Sequence, residues 1–113
     1  LTRGIARGLG IAGPVTSPTF TIMQVYEGGR LPLFHFDWYR LSGADELYEL
    51  SMDEYLYDQG VSVVEWPSMA EDAVPETHLR IRIDTPAENE RQFLLEPAGT
   101  FHALDKRALE ATR

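Results

Sequence analysis

Asp37 directly follows the apolar run LPLFHF, and Glu65 directly follows VSVV, so two β-rich segments each end on a carboxylate. Strands that stop this way, with helical patterns ahead of the first and between the two, belong in an α/β sheet, where the ligand crevice lies outside the strand C-terminal ends. The neighbouring segments agree. Residues 19–26 and 31–38 are both β-rich and are separated by EGGR, whose Gly28 and Gly29 suit a tight turn, so the spacing predicts a hairpin. Leu1, Ile5, Ala6 and Leu9 recur at helical spacing, and Gly8, Gly10, Gly13 and Pro14 supply stop signals, so a helix covers residues 1–11. Ser42 and Ser51 precede acidic residues at capping distance, with SMDE at 51–54 matching a capping box, which predicts two short helices within 43–58. Trp66 and Pro67 end the run after Gly60, since proline cannot donate to a ladder. HLRIRID at 78–84 alternates apolar and polar residues, and 91–96 presents Phe93 and Leu95 on one face, giving two antiparallel strands. Phe101, Leu104 and Ala108 are spaced for a closing helix over 100–113.

A chain of 113 residues, 43% of them hydrophobic, has apolar material for one modest core, so 1–113 is expected to be a single domain. No apolar run approaches the roughly 18 residues of a membrane span. Arg3 and Arg7 occupy a stretch that would be apolar in a signal peptide, which gives a cytoplasmic expectation. With no cysteine, disulfides and thiolate metal sites are excluded. The formal charge of −8, from 18 acidic against 10 basic residues, repels a phosphate backbone, so unaided tRNA binding is not expected. The acidic residues Asp45, Glu46, Glu49, Asp53, Glu54 and Asp58 read as a solvated helix face, with docking of a basic partner as the other reading.

Read alone, a carboxylate at a strand end is more often a turn or cap residue than a ligand. The pair is what suggests chemistry, because phosphoryl-transfer sites use such carboxylates to hold Mg²⁺ and to orient an attacking water. By strand alternation His35 shares a face with Asp37 and Leu33, as a buried, hydrogen-bonded imidazole and not a catalytic base. No metal-binding pattern joins the histidines.

Three blocks, Ser17-Pro18-Thr19-Phe20-Thr21, His35-Phe36-Asp37-Trp38-Tyr39-Arg40 and Glu65-Trp66-Pro67, stand in this order behind the helix TRGIARGLGI. Together they resemble the bacterial TsaE (YjeE) family, ATPase subunits of tRNA threonylcarbamoyladenosine (t6A) biosynthesis, over essentially the whole chain. The resemblance implies a three-layer P-loop NTPase-like fold with a mixed sheet, ATP and Mg²⁺ as cofactors, and the TsaB and TsaD proteins as partners. It implies that Asp37 is a Walker B type residue and that Glu65 lies near the metal and the γ-phosphate, both catalytic and both metal-binding. Ser17 and Thr19 fall on a loop beside the nucleotide, where their hydroxyls serve either phosphate and metal-bound water or turn hydrogen bonds. Trp66 is read either as core or as a flat side chain shielding the site or facing a partner. Arg40 is read as an anchor for Asp37 or a neighbouring loop, with phosphate contact as the other reading. Arg91 falls near a family arginine that contacts nucleotide, across the loop TPAENE.

The family's Walker A sequence belongs immediately before residue 1, and neither Thr2 nor Lys106, the only lysine, stands in for it. The expectation is therefore a chain truncated at its N-terminus, lacking the first strand and the P-loop. The intact parent would be the Mg²⁺-dependent ATPase, and the 113-residue chain alone would be inactive, unstable or aggregating. Two other readings stay open: a non-catalytic interaction domain of the same fold, and a metal phosphohydrolase built on Asp37 and Glu65 with further ligands.

Overall fold

The computed structural model describes residues 1–16, 18 and 21–100. They fall into two compact units, one spanning Leu1–Val74 and the other beginning at Pro75.

The first unit opens with helix α1, Thr2–Leu9, which buries Thr2, Ala6 and Leu9 along one face. Gly10 ends it in the left-handed conformation (φ 82°), and the Gly10 N–H is directed at the carbonyls of Ala6 and Arg7. Strand β1, Met23–Tyr26, pairs antiparallel with β2, Leu33–Asp37, in the register Met23↔Phe36 to Tyr26↔Leu33. The expected hairpin is present, but its first strand begins only at Met23, with Thr21 and Ile22 ahead of it, while residues 19 and 20 of the expected 19–26 lie outside the described residues. Ile22 adopts φ 69°, a conformation that a β-branched residue takes only under constraint and that breaks the pleat ahead of Met23. Arg30 ties the hairpin connection to the end of α1, its backbone N–H donating to the Leu9 carbonyl at 2.7 Å and its Nη2 to the Gly8 carbonyl at 2.9 Å. Gly29 is needed here because a Cβ would press on the Leu9 carbonyl and the Ile11 side chain.

From β2 the chain runs through helix α2, Ala44–Glu49, and a 3₁₀ segment, Met52–Tyr57, before β3, Val61–Glu65. The two short helices lie where the spacing placed them, but the capping box does not form. Ser51 sits in the left-handed region (φ 55°) at the joint between the helices, its N–H bonded to the Tyr48 carbonyl, so its hydroxyl caps nothing. Near α2 the bond runs the other way, with Glu46 Oε2 accepting from the Ser42 N–H at 3.3 Å.

Strand β3 joins β2 in parallel, from Leu33↔Val61 to Asp37↔Glu65, giving the order β1-β2-β3. All five residues of β2 are buried, because this central strand is covered on both faces. Leu33 packs on one side with Ala6, Leu9, Ile11 and Val15 from α1 and the loop after it. Phe34 and Phe36 face the other side with Trp38, Leu41, Leu47, Ala70 and Ala73. The result is a helix–sheet–helix sandwich, and the period of two within β2 assigns its residues alternately to the two cores.

In the second unit β4, His78–Asp84, and β5, Gln92–Ala98, form the expected antiparallel pair, from His78↔Ala98 to Asp84↔Gln92. The helix expected over 100–113 falls, from Phe101 on, outside the described residues.

Candidate functional site

The parallel pairing of β2 and β3 ends on Asp37↔Glu65, so the two carboxylates are lateral neighbours at the C-terminal edge of the sheet. The next rung is backbone only, Trp38 N–H to the Glu65 carbonyl at 3.1 Å. Both residues lie on the sheet face that carries Leu33 and α1, since side chains two apart on a strand share a face.

Their environments differ. Asp37 is only 5% exposed, and its Oδ1 accepts the Tyr39 N–H at 3.0 Å, an Asx-type turn that directs the chain out of β2. Its own N–H donates to the Ile22 carbonyl at 2.8 Å, which couples the strained Ile22 to the site. Glu65 has a side chain 42% exposed, with Oε1 3.3 Å from His35 Nε2. His35, expected to be a buried and hydrogen-bonded imidazole, is both. Among the described residues three non-glycine residues have positive φ, and two of them, Ile22 and Trp66, flank this pair of strand ends; such strain is characteristic of functional sites.

Trp66 (φ 59°) turns the chain sharply after β3 and stays 54% exposed, its ring 5.0 Å from that of Tyr39 and inclined by 58°. It is a surface side chain beside the carboxylates and not a core residue. Arg40 follows Tyr39 at the surface. Ser17 and Thr19 lie outside the described residues, although Pro18 next to them receives the Ile22 N–H on its carbonyl at 2.9 Å. Arg91 belongs to the second unit, exposed just before β5, with its Nη1 donating to the Glu90 carbonyl at 3.0 Å.

Two contacts were not foreseen from sequence: His35 on Glu65, and Tyr39 on Trp66. Alternation had put His35 on the right face. Its partner depended on the non-local register of β3, which local patterning does not encode.

Among the described residues no group of three or more His, Asp or Glu side chains forms a protein-only metal cage. Asp37 and Glu65 nevertheless fit Mg²⁺, which takes one or two carboxylates and completes its shell with water and substrate phosphates. Among those residues, too, no helix is long and apolar enough to cross a membrane.

A three-layer unit with paired carboxylates at parallel strand ends defines the class of open α/β folds, in which the crevice for ligands lies outside that edge. Its mixed sheet and layering are those of a solved P-loop NTPase-like structure, Bacillus subtilis YdiB, to which the chain is similar with a TM-score of 0.72 and 39% identity, over 87% of this chain and 58% of that one. The family model described as threonylcarbamoyl adenosine biosynthesis protein TsaE matches residues 1–93, and the chain belongs to that family. Relatives include the tRNA threonylcarbamoyladenosine biosynthesis proteins TsaE of Bacillus subtilis, 44% identical over 103 residues, and of Streptomyces coelicolor, 49% identical over 87. These alignments cover 91% and 74% of this chain, and the chain spans 64% and 58% of the respective relatives.

Proposed function

We propose that the chain is the greater part of a Mg²⁺-dependent ATPase subunit serving t6A modification of tRNA, acting on a complex of the TsaB and TsaD proteins. The observation that carries the proposal is the register of Asp37 with Glu65 at the ends of parallel strands, one carboxylate buried and anchored, the other half-exposed. The role in tRNA modification rests on family membership and on the names of the relatives.

In the hydrolysis, the oxygen of water forms a bond to the γ-phosphorus, the bond from phosphorus to the β,γ-bridging oxygen breaks, ADP leaves with that bond's electron pair, and the proton shed by the water passes to solvent. The half-exposed Glu65 orients and polarises that water. Asp37, fixed by the Tyr39 N–H, has little freedom to move and would present its carboxylate to the metal already oriented, which is the kind of preorganisation that lowers a barrier. Both carboxylates would hold Mg²⁺, which when bound neutralises charge on the β and γ phosphates. The hydroxyls of Ser17 and Thr19, the exposed Trp66 and Arg91 are the remaining candidates for nucleotide contact. With a net charge of −8 the chain is suited to a partner-mediated role, so chemistry on the nucleoside belongs to the partners.

The sequence contains no GxxxxGK[ST] segment, so the test is made on the complete gene product. ATP hydrolysis is measured with and without Mg²⁺, alone and with TsaB and TsaD. Asp37→Asn and Glu65→Gln should each lower kcat by about 10²-fold or more, the scale of losing one preorganised polar group. Turnover that survives in both variants, or that ignores Mg²⁺, would overturn the reading and favour a non-catalytic interaction domain.

A further inference from the structure

We propose that His35 is a positioning residue that fixes the orientation of the Glu65 carboxylate, an inference that rests on the ATPase reading above for its kinetic consequence. His35 is the middle residue of β2 and pairs in register with Val63, two residues before Glu65 on the neighbouring strand. Residues 35, 37, 63 and 65 therefore share one sheet face, and the imidazole reaches Glu65 along the diagonal, Nε2 to Oε1 at 3.3 Å. The two partners are unequal in freedom. The His35 side chain is 3% exposed and sits in a strand covered on both faces, whereas that of Glu65 is 42% exposed and carries three rotatable torsions. The ring is thus the fixed member, and the carboxylate is the one it holds.

Packing alone does not account for a histidine here. The same sheet face carries Leu33, Val61 and Val63, and an apolar side chain would fill the position without desolvating a ring nitrogen. Instead His35 Nδ1 is buried with no hydrogen-bond partner among the described residues. An ionised carboxylate only accepts, so in this contact Nε2 carries the proton that it donates. Leaving Nδ1 buried and unpaired carries a desolvation cost, which is tolerated at a site that uses the other ring nitrogen. Backbone bonds already fix the end of β3 through the Trp38 N–H on the Glu65 carbonyl, so what remains for His35 to restrict is the Glu65 side chain itself. One carboxylate oxygen is held by the imidazole, and the other is left for metal or water.

The test compares His35→Gln, whose amide can still donate to Glu65, with His35→Leu, which fills similar space without a donor, both in the complete gene product. Folding is verified by circular dichroism and thermal melting. His35→Leu should lose kcat for ATP by about 10- to 100-fold, the usual effect of removing an outer partner of a functional ligand, with KM little changed. His35→Gln should recover most of that loss. A residue that only packs would leave kcat in place in His35→Leu, or make the two variants fall equally, and either result overturns the proposal. A second readout is independent of turnover: long-range ¹H–¹⁵N spectra of the imidazole should show the Nε2–H tautomer in the wild type and a displaced resonance in Glu65→Ala. An imidazole unaffected by Glu65→Ala overturns the proposal even if His35→Leu fails to fold. If the wild type hydrolyses no ATP while the imidazole still responds to Glu65→Ala, the ATPase reading fails and the positioning of Glu65 by His35 stands.

Discussion

Replacing Trp66 by glycine should leave a more stable protein than replacing it by alanine, reversing the usual order of the two residues. Trp66 lies at φ 59°, ψ 50°, where a Cβ crowds the following carbonyl at a cost of about 1–2 kcal/mol that glycine does not carry. Against this, glycine has greater freedom in the unfolded chain, worth about 0.4–1 kcal/mol relative to alanine. The balance favours glycine by roughly 0.5–1 kcal/mol. Both variants lose the tilted contact with Tyr39, about 0.5–1.5 kcal/mol. Both also lose the burial of about half an aromatic side chain, on the order of 1 kcal/mol. The alanine variant should thus fall about 1.5–2.5 kcal/mol below wild type and the glycine variant lie between them. Urea unfolding is the assay, followed by the fluorescence of Trp38, which is fully buried, edge-on to Phe36, and becomes the sole tryptophan in either variant. With a slope near 1 kcal/mol per molar for a protein this small, the two midpoints should differ by about half a molar or more. An alanine variant as stable as the glycine variant or more so would refute the strained geometry of Trp66. A loss above about 4 kcal/mol in either would refute its placement at the surface, since that is the scale of a buried aromatic.

Gly60→Ala should destabilise by about 1–3 kcal/mol in the same assay, because the new Cβ would lie 2.6 Å from the Phe34 ring and 2.8 Å from the Pro32 carbonyl, where the chain enters β3. Leu47→Ala removes a fully buried side chain from the core on the α2 side and should cost about 2–5 kcal/mol by thermal or chemical melting. Tyr26→Phe deletes the hydroxyl that bridges the backbone of Thr16 and the side chain of Gln24, and should cost about 1–2 kcal/mol while increasing hydrogen exchange in the loop around Thr16.

The parts of the fold set by local chemistry were legible in the sequence. The period of two in LFHFD, the glycines between the first two strands and the helical spacing from Leu1 to Leu9 each correspond to an element in its expected place. So do the strand ends at Asp37 and Glu65, because Trp66-Pro67 and the turn-forming Asp37 are local stop signals. What escaped were features fixed by distant neighbours. Strand β1 starts at Met23 and not before, because Ile22 is held in a strained conformation by bonds to Pro18 and Asp37, a constraint that β-propensity does not register. The capping box at Ser51 fails because the two-residue turn at Leu50 and Ser51 that joins α2 to the 3₁₀ segment holds the serine in left-handed geometry, where an N-cap needs an extended one. The contacts of His35 with Glu65 and of Tyr39 with Trp66 depend on β2 and β3 being parallel and in register, with 23 residues between those strands that local patterning cannot align.

If Asp37 and Glu65 together form the metal end of a nucleotide site, a metal should be found bound there. The direct measurement is anomalous diffraction from crystals of the complete gene product grown with Mn²⁺ in place of Mg²⁺ and a non-hydrolysable ATP analogue. An anomalous peak is expected beside the Asp37 and Glu65 carboxylates, and its loss in the double variant Asp37→Asn, Glu65→Gln. A peak of full height at some other position, with these two carboxylates touching neither metal nor metal-bound water, would contradict this placement of the metal.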